Sequence, residues 1–166
     1  EVEEQTFAAI RELAQTIEKI SAERIQTELV KLLTSDHPEL IREVYTSGIS
    51  DVILPEFSVL MQTEQNNPHH CYTVGEHTIH VVQQVENQKV LRLAALFHDI
   101  AKPVCKTTDE TGVDHFYGHP KEGAKMAHRI FRRLKFDVDT MQKVCGLVEW
   151  HDDNPNLTPA GIRKAI

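Results

Sequence analysis

The chain has 166 residues, with 25 acidic against 18 basic side chains and a formal net charge of −7. That length can bury one proper core, and that charge excludes nucleic-acid or anionic-membrane binding driven by net attraction, though not by a local basic stripe. No apolar run reaches the roughly 18 residues of a membrane span, and no leader pattern opens the chain. Cys71, Cys105 and Cys145 read as free thiols rather than a disulfide framework, so the expected compartment is the cytoplasm.

In chain order, Phe7, Ile10, Leu13, Ala14 and Ile17 make one apolar stripe at helical spacing. Ser21 is a good N-cap, with Glu23 in the first turn, for a helix burying Ile25, Leu29, Leu32 and Leu33. Asp36-His37-Pro38 stops the chain and restarts it. Pro38 opens a helix carrying Leu40, Ile41 and Val44 that should end at a left-handed Gly48. Val52, Ile53, Leu54, Phe57, Leu60 and Met61 read as one further short helix around Pro55. The break at Gln65-Asn66-Asn67-Pro68 sets the expected boundary between a first part, residues 1–66, and a second, residues 67–166. Helical patterns follow over Val74 to Val85, Val90 to Ile100, Pro120 to Lys135 and Val138 to His151. A polar loop from Thr107 to Tyr117 turns at Glu110-Thr111-Gly112. No stretch alternates as a half-buried strand does, so the expected architecture is all-α. Glu1 runs almost directly into a helix, and Thr158-Pro159-Ala160 opens one that stops at Ile166 without a C-terminal signal. A piece of a longer protein is therefore expected.

The chemistry concentrates in the histidines. His98-Asp99 ends the apolar run from Val90 to Phe97, and such a pair is costly beside that run unless something pairs with it. A divalent cation suits both groups. His77 lies on the stripe Val74-His77-Val81, His98 on Leu91-Ala94-Ala95-His98 and His151 on Val144-Leu147-Val148-His151. Histidines on the apolar faces of three helices are what a metal site inside a bundle requires. One alone is more often a core residue bonded to a carbonyl; three with a His-Asp pair favour a metal. Asp99, about 100° round the helix from His98, reaches the same ion only at the helix edge.

Lys102, held extended by Pro103, reads as a phosphate partner, against the plainer reading of a solvated lysine at a helix end. His119 stands just before a helix N-terminus in Phe116-Tyr117-Gly118-His119-Pro120, where it can hold a second metal or touch a phosphate. His37, His69, His80 and His128 read as surface or capping residues, while His70 and His115 stay open. No Gly-rich phosphate loop, nucleophile elbow, zinc ribbon or redox cysteine pair is present.

With His77, His98-Asp99, His119 and His151 in this order, the chain resembles the HD-domain metal-dependent phosphohydrolase superfamily. Four segments carry a narrower likeness. They are Ser21-Ala22-Glu23-Arg24-Ile25 with Glu28-Leu29 and Lys31, then Ile53-Leu54-Pro55-Glu56, then the run from Arg92 to Pro103, and Phe116-Tyr117-Gly118-His119. They are similar to the neck and HD region of bacterial CCA-adding tRNA nucleotidyltransferases and poly(A) polymerases, over about Ser21 to His151. The resemblance implies a helical bundle of the HD type preceded by a helical neck-like segment. It also implies metal ligation by His77, His98 and Asp99, with Asp99 bridging if two ions bind. His119 and His151 match positions that hold a second ion or the substrate phosphate. Ala101 stands where glycine is usual. The family's last ligand is an aspartate on a later helix, expected here past Ile166, with Asp152 and Asp153 too near His151 to replace it. Weak metal binding is the consequence. No Gly-rich segment leads to an Asp-x-Asp pair, so this chain alone is not expected to add nucleotides.

The expected function is therefore hydrolysis of a nucleotide or phosphodiester by water activated at a metal, with Asp99, Lys102 and His119 as the catalytic set. One or two divalent ions are implied, and Mn, Ni, Fe, Co, Zn and Mg all remain open. The alternative is a non-catalytic tRNA-binding module with a vestigial metal site. Its phosphate contacts would come from Arg24, Lys31, Arg129, Arg132, Arg133 and Lys135. A third reading is a stand-alone regulatory phosphohydrolase. Expected partners are a phosphate-containing substrate and tRNA, with no membrane.

Overall fold

The computed structural model describes residues 3–66 and 72–153. His69, His70, Cys71 and the helix expected from Thr158 lie outside them. Among the described residues the chain is helical apart from one minimal hairpin, so the architecture is all-α.

Helix α1 (Glu4–Leu13) gives way to a 3-10 segment, Ala14–Lys19, which splits the stripe read over Phe7 to Ile17. A 3-10 segment turns every three residues, so the stripe cannot stay on one face. In consequence α1 buries none of its residues and Leu13 is 59% exposed, while Ala14 is covered. Helix α2 (Ala22–Leu33) starts as its cap predicts, with Ser21 Oγ accepting from Arg24 N, and it buries Leu29 and Leu33. A 3-10 turn at Pro38–Leu40 leads into α3 (Ile41–Thr46), and Gly48 follows at φ +79° in the expected left-handed role.

The single helix expected around Pro55 is two, α4 (Ile49–Ile53) and α5 (Pro55–Gln62). Pro55 has no N–H to continue α4, but its fixed φ suits the first position of a new helix. The second part holds α6 (Val74–Gln84), α7 (Lys89–Phe97), α8 (Lys102–Cys105), α9 (His119–Arg133) and α10 (Val138–Trp150). Two short strands, β1 (Thr107–Thr108) and β2 (Asp114–His115), pair antiparallel where a loop was expected. Alternation could not show them, because the turn sets the pairing. The Asp109 carboxylate accepts from Thr111 N and Val113 N, and Gly112 sits at φ +84°.

One apolar cluster runs through both parts, from Leu29, Leu33, Ile41, Phe57 and Leu60 to Phe97, Phe131, Val144 and Val148. At the junction a Cβ on Gly75 would lie 2.5 Å from Met61 Cα, so α5 and α6 meet backbone to backbone. Two bidentate ion pairs also join the parts. Arg42 donates to Glu76 at 3.0 and 2.6 Å, and Arg133 to Glu56 at 2.8 and 2.7 Å. Helix α10 packs along α9 and α7, which brings the ends of three helices to one place. No helix among the described residues is long and apolar enough to cross a membrane.

Candidate metal centre

Helix α7 ends at Phe97, so His98 and Asp99 fall in the turn just beyond it, with Ile100 N bonded to Phe97 O and Lys102 N to Asp99 O. His98 itself keeps helical backbone angles, φ −56° and ψ −41°. Asp99 is the centre of the site, 1% exposed. Around its carboxylate the structure gathers the histidines singled out above. His98 Nε2 is 3.1 Å and His77 Nε2 3.8 Å from Oδ2. On the other oxygen, Oδ1, His119 Nε2 stands at 3.2 Å and His151 Nε2 at 3.7 Å.

Three of these rings are aimed by the backbone. The Nδ1 atoms of His98, His119 and His151 lie 2.7, 2.8 and 2.7 Å from the carbonyls of Ala95, Phe116 and Val148. A carbonyl only accepts, so each Nδ1 carries a proton and each ring turns its Nε2 to the centre. The Nε2 atoms of His119 and His151 then face each other at 3.2 Å. Two lone pairs at that distance repel unless a proton or a cation lies between or beside them. Asp99 Oδ2 is buried without a well-aligned hydrogen-bond donor, although Lys102 Nζ lies 2.9 Å and His98 Nε2 3.1 Å away. The donor set therefore fits a divalent ion. His77, His98 and Asp99 could hold one, and Asp99, His119 and His151 a second, each group's ligand atoms lying within 4.8 Å of one another.

Burial pushes the Asp99 carboxyl up, but its contacts with His119, His151 and His98 outweigh that and hold it well below the usual carboxylate range. Burial lowers His151, yet Asp99, the Val148 carbonyl and Asp152 raise it on balance. Lys102 does not take the extended backbone that Pro103 favours. It opens the short helix α8, its N–H bonded to Asp99 O and its ammonium buried against Asp99, Gln65 Oε1 at 3.2 Å and the Phe116 ring. These contacts override the local preference.

The centre floors a cleft of about 550 Å³ lined also by Asp114, His115, Phe116, Tyr117 and Asp152. Asp152, set aside on spacing, brings a carboxylate oxygen 3.5 Å from His119 Nε2 and another 3.7 Å from His151 Nε2. Gln65 is the clearest residue that sequence reasoning missed. Read only as part of the break between the two parts, it is 7% exposed and bonded to Lys102, while Asn66 N donates to Asp114 Oδ2 at 2.7 Å. No local pattern marks either contact, because each closes a loop of tens of residues. Of the histidines read as surface or capping residues, His37 pairs with Glu39 on the surface and His128 is exposed, while His80 is half-buried with its ring against Tyr72. Among the suggested phosphate contacts, Arg133 is engaged by Glu56, Arg129 lies 3.7 Å from Glu122, and Lys31 is paired with Glu28.

Residues 69–164 match the family described as "HD domain", and residues 1–61 the family described as "Probable RNA and SrmB- binding site of polymerase A". The chain is 36% identical over 138 residues to a CC-adding tRNA nucleotidyltransferase of Thermus thermophilus, covering 79% of this chain and 32% of that protein. It is 33% identical over 156 residues to a multifunctional CCA protein of Actinobacillus pleuropneumoniae, 89% of this chain and 36% of the relative. To an A-adding tRNA nucleotidyltransferase of Deinococcus radiodurans it is 31% identical over 164 residues, 90% and 37% of the two. The chain thus spans about a third of the length of the curated relatives it matches. The all-α bundle, the order of the histidines around Asp99 and the match over more than half of the chain agree: this chain belongs to the HD domain family and matches the neck and HD region of tRNA nucleotidyltransferases.

Proposed function

We propose that this chain is a metal-dependent phosphohydrolase of the HD type, acting on a nucleotide or phosphodiester within a protein related to the tRNA nucleotidyltransferases. What supports this reading best is the convergence of four imidazole nitrogens on one buried carboxylate. A divalent ion held there by His77, His98 and Asp99, or by Asp99, His119 and His151, supplies Lewis acidity toward a phosphoryl oxygen and toward water. The chain's own residues do the rest. Lys102 places a buried ammonium on the cleft wall, where it offsets phosphate charge. His119 begins α9, whose first N–H groups favour an anion. Asp152 extends over His119 and His151 as a further candidate carboxylate ligand.

Residues 1–66 act as the RNA-facing neck and residues 67–166 as the metal domain, in the cytoplasm, with tRNA as the macromolecular partner. The family match over residues 1–61 supports the RNA role. The ion pairs of Arg129 and Arg133 reduce what the α9 cluster can offer a phosphate. The test is to strip the purified chain with chelator, reload it with Mn and assay bis(p-nitrophenyl) phosphate and adenosine monophosphates. Turnover should need the metal and vanish in Asp99→Asn. Tight, salt-sensitive tRNA binding without any turnover would favour the binding-module reading instead.

A further inference from the structure

We propose that Tyr117, backed by His115, is a stacking shelf at the mouth of the cleft that holds the base of a nucleotide whose phosphate lies at the Asp99 centre. The position of the phosphate rests on the phosphohydrolase reading above; the shelf itself is argued from the hairpin. Tyr117 is 78% exposed, the most exposed large apolar side chain among the described residues. Its ring lies nearly parallel to that of His115, at 7° with centroids 5.3 Å apart, so one face is covered and the other is open. Both residues line the cleft that holds His77, His98 and Asp99.

An exposed aromatic ring normally wanders, but this one is restrained by the turn that carries it and by His115 on one face. Phe116 to His119 form a type II turn, with His119 N bonded to Phe116 O and Gly118 at φ +78°, which puts Tyr117 at the outward corner. His115 Nε2 is held 2.8 Å from Asp109 Oδ2, and Tyr117 Oη lies 3.4 Å from His115 Nδ1. Below them Asp114 ties the hairpin to Asn66 N, Thr108 and Lys106. The shelf is therefore preorganised, and little ordering entropy is left to lose on binding. Tyr117 precedes His119 by two residues, at most about 7 Å of backbone, a gap that a sugar can bridge between base and phosphate. Recognition by a ring face is tolerant of base identity, so the shelf favours nucleotides as a class over base-free esters.

The test compares adenosine 5′-monophosphate with ribose 5-phosphate by titration calorimetry on the Mn-loaded chain, and repeats both in Tyr117→Ala and Tyr117→Phe. A short RNA ending in a 3′-phosphate, against its abasic-ended counterpart, tells a chain end from a free nucleotide. The base-bearing ligand should bind roughly tenfold more tightly in the native chain and in Tyr117→Phe. Tyr117→Ala should lose that factor while ribose 5-phosphate affinity stays unchanged. A base preference on either ligand that disappears in Tyr117→Ala supports the shelf. An equal preference in Tyr117→Ala, or none in the native chain, overturns it. The two readings fail separately. Hydrolysis of ribose 5-phosphate without base preference removes the shelf alone, and a Tyr117-dependent preference without turnover removes the hydrolase alone.

Discussion

Residues 4–19 and residues 74–151 both carry apolar stripes at helical spacing, and the stripes end in opposite places. In α1 the stripe meets little, and Leu13 is 59% exposed. In α7, α9 and α10 the stripes face one another, so Phe97, Phe131, Val144 and Val148 are sealed and Asp99 at the end of one stripe is sealed with them. The difference teaches that amphipathic spacing specifies a helix but not what covers it. Where three stripes converge, a polar group at their common end has no solvent to turn to, and its partners must come from the chain or from an ion.

The largest expected effect would break this contrast if it failed. Phe97→Ala should cost about 3–5 kcal/mol of stability in urea unfolding, while Leu13→Ala should stay within about 0.5 kcal/mol of the parent. Comparable losses at both positions would mean that α1 is buried after all. A pair of glycines sharpens the same point at smaller scale. An added Cβ at Gly75 meets the Met61 backbone, whereas at Gly146 in α10 it meets nothing within 4 Å. Gly75→Ala should therefore cost about 1–3 kcal/mol or more, and Gly146→Ala should stabilise by up to about 1 kcal/mol through helix propensity. Thermal melts of the two variants should move in opposite directions.

A smaller effect is a pH dependence confined to the second region. Asp137 caps α10, and its bonds from Thr140 N and Oγ1, aided by Lys89, bring its carboxyl down to about 2. The unfolded value is about 3.9, so this contribution is complete above that pH and is lost as pH falls toward 2. Asp137→Asn keeps an acceptor but cannot titrate. Its unfolding midpoint should fall less between pH 5 and 2 than that of the parent; parallel acid limbs would exclude the cap as a source.

His77, His98 and His151 could be read from helical spacing because each continues the stripe of one helix, His98 and His151 as the residues that close α7 and α10, and His119 because it opens another. The central place of Asp99 could not be read that way, since it depends on which helix ends meet its carboxylate in space. Gln65, Asp114 and Asp152 were hidden for a related reason. Their partners are distant in sequence or lie past a helix end, where periodicity carries no information. Pro55 shows the converse: its chemistry marked the start of a helix plainly, but the apolar run on both sides masked that there were two.

The central claim is that one buried carboxylate organises the metal centre, and ion stoichiometry tests it most directly. The tag-free chain should be stripped with chelator, reloaded with Mn, gel-filtered and measured for bound metal, beside Asp99→Asn checked for unchanged helical circular dichroism. The account predicts up to two ions on the native chain, since both candidate groups share Asp99, and none on the folded variant. Equal metal content in the two proteins would contradict it.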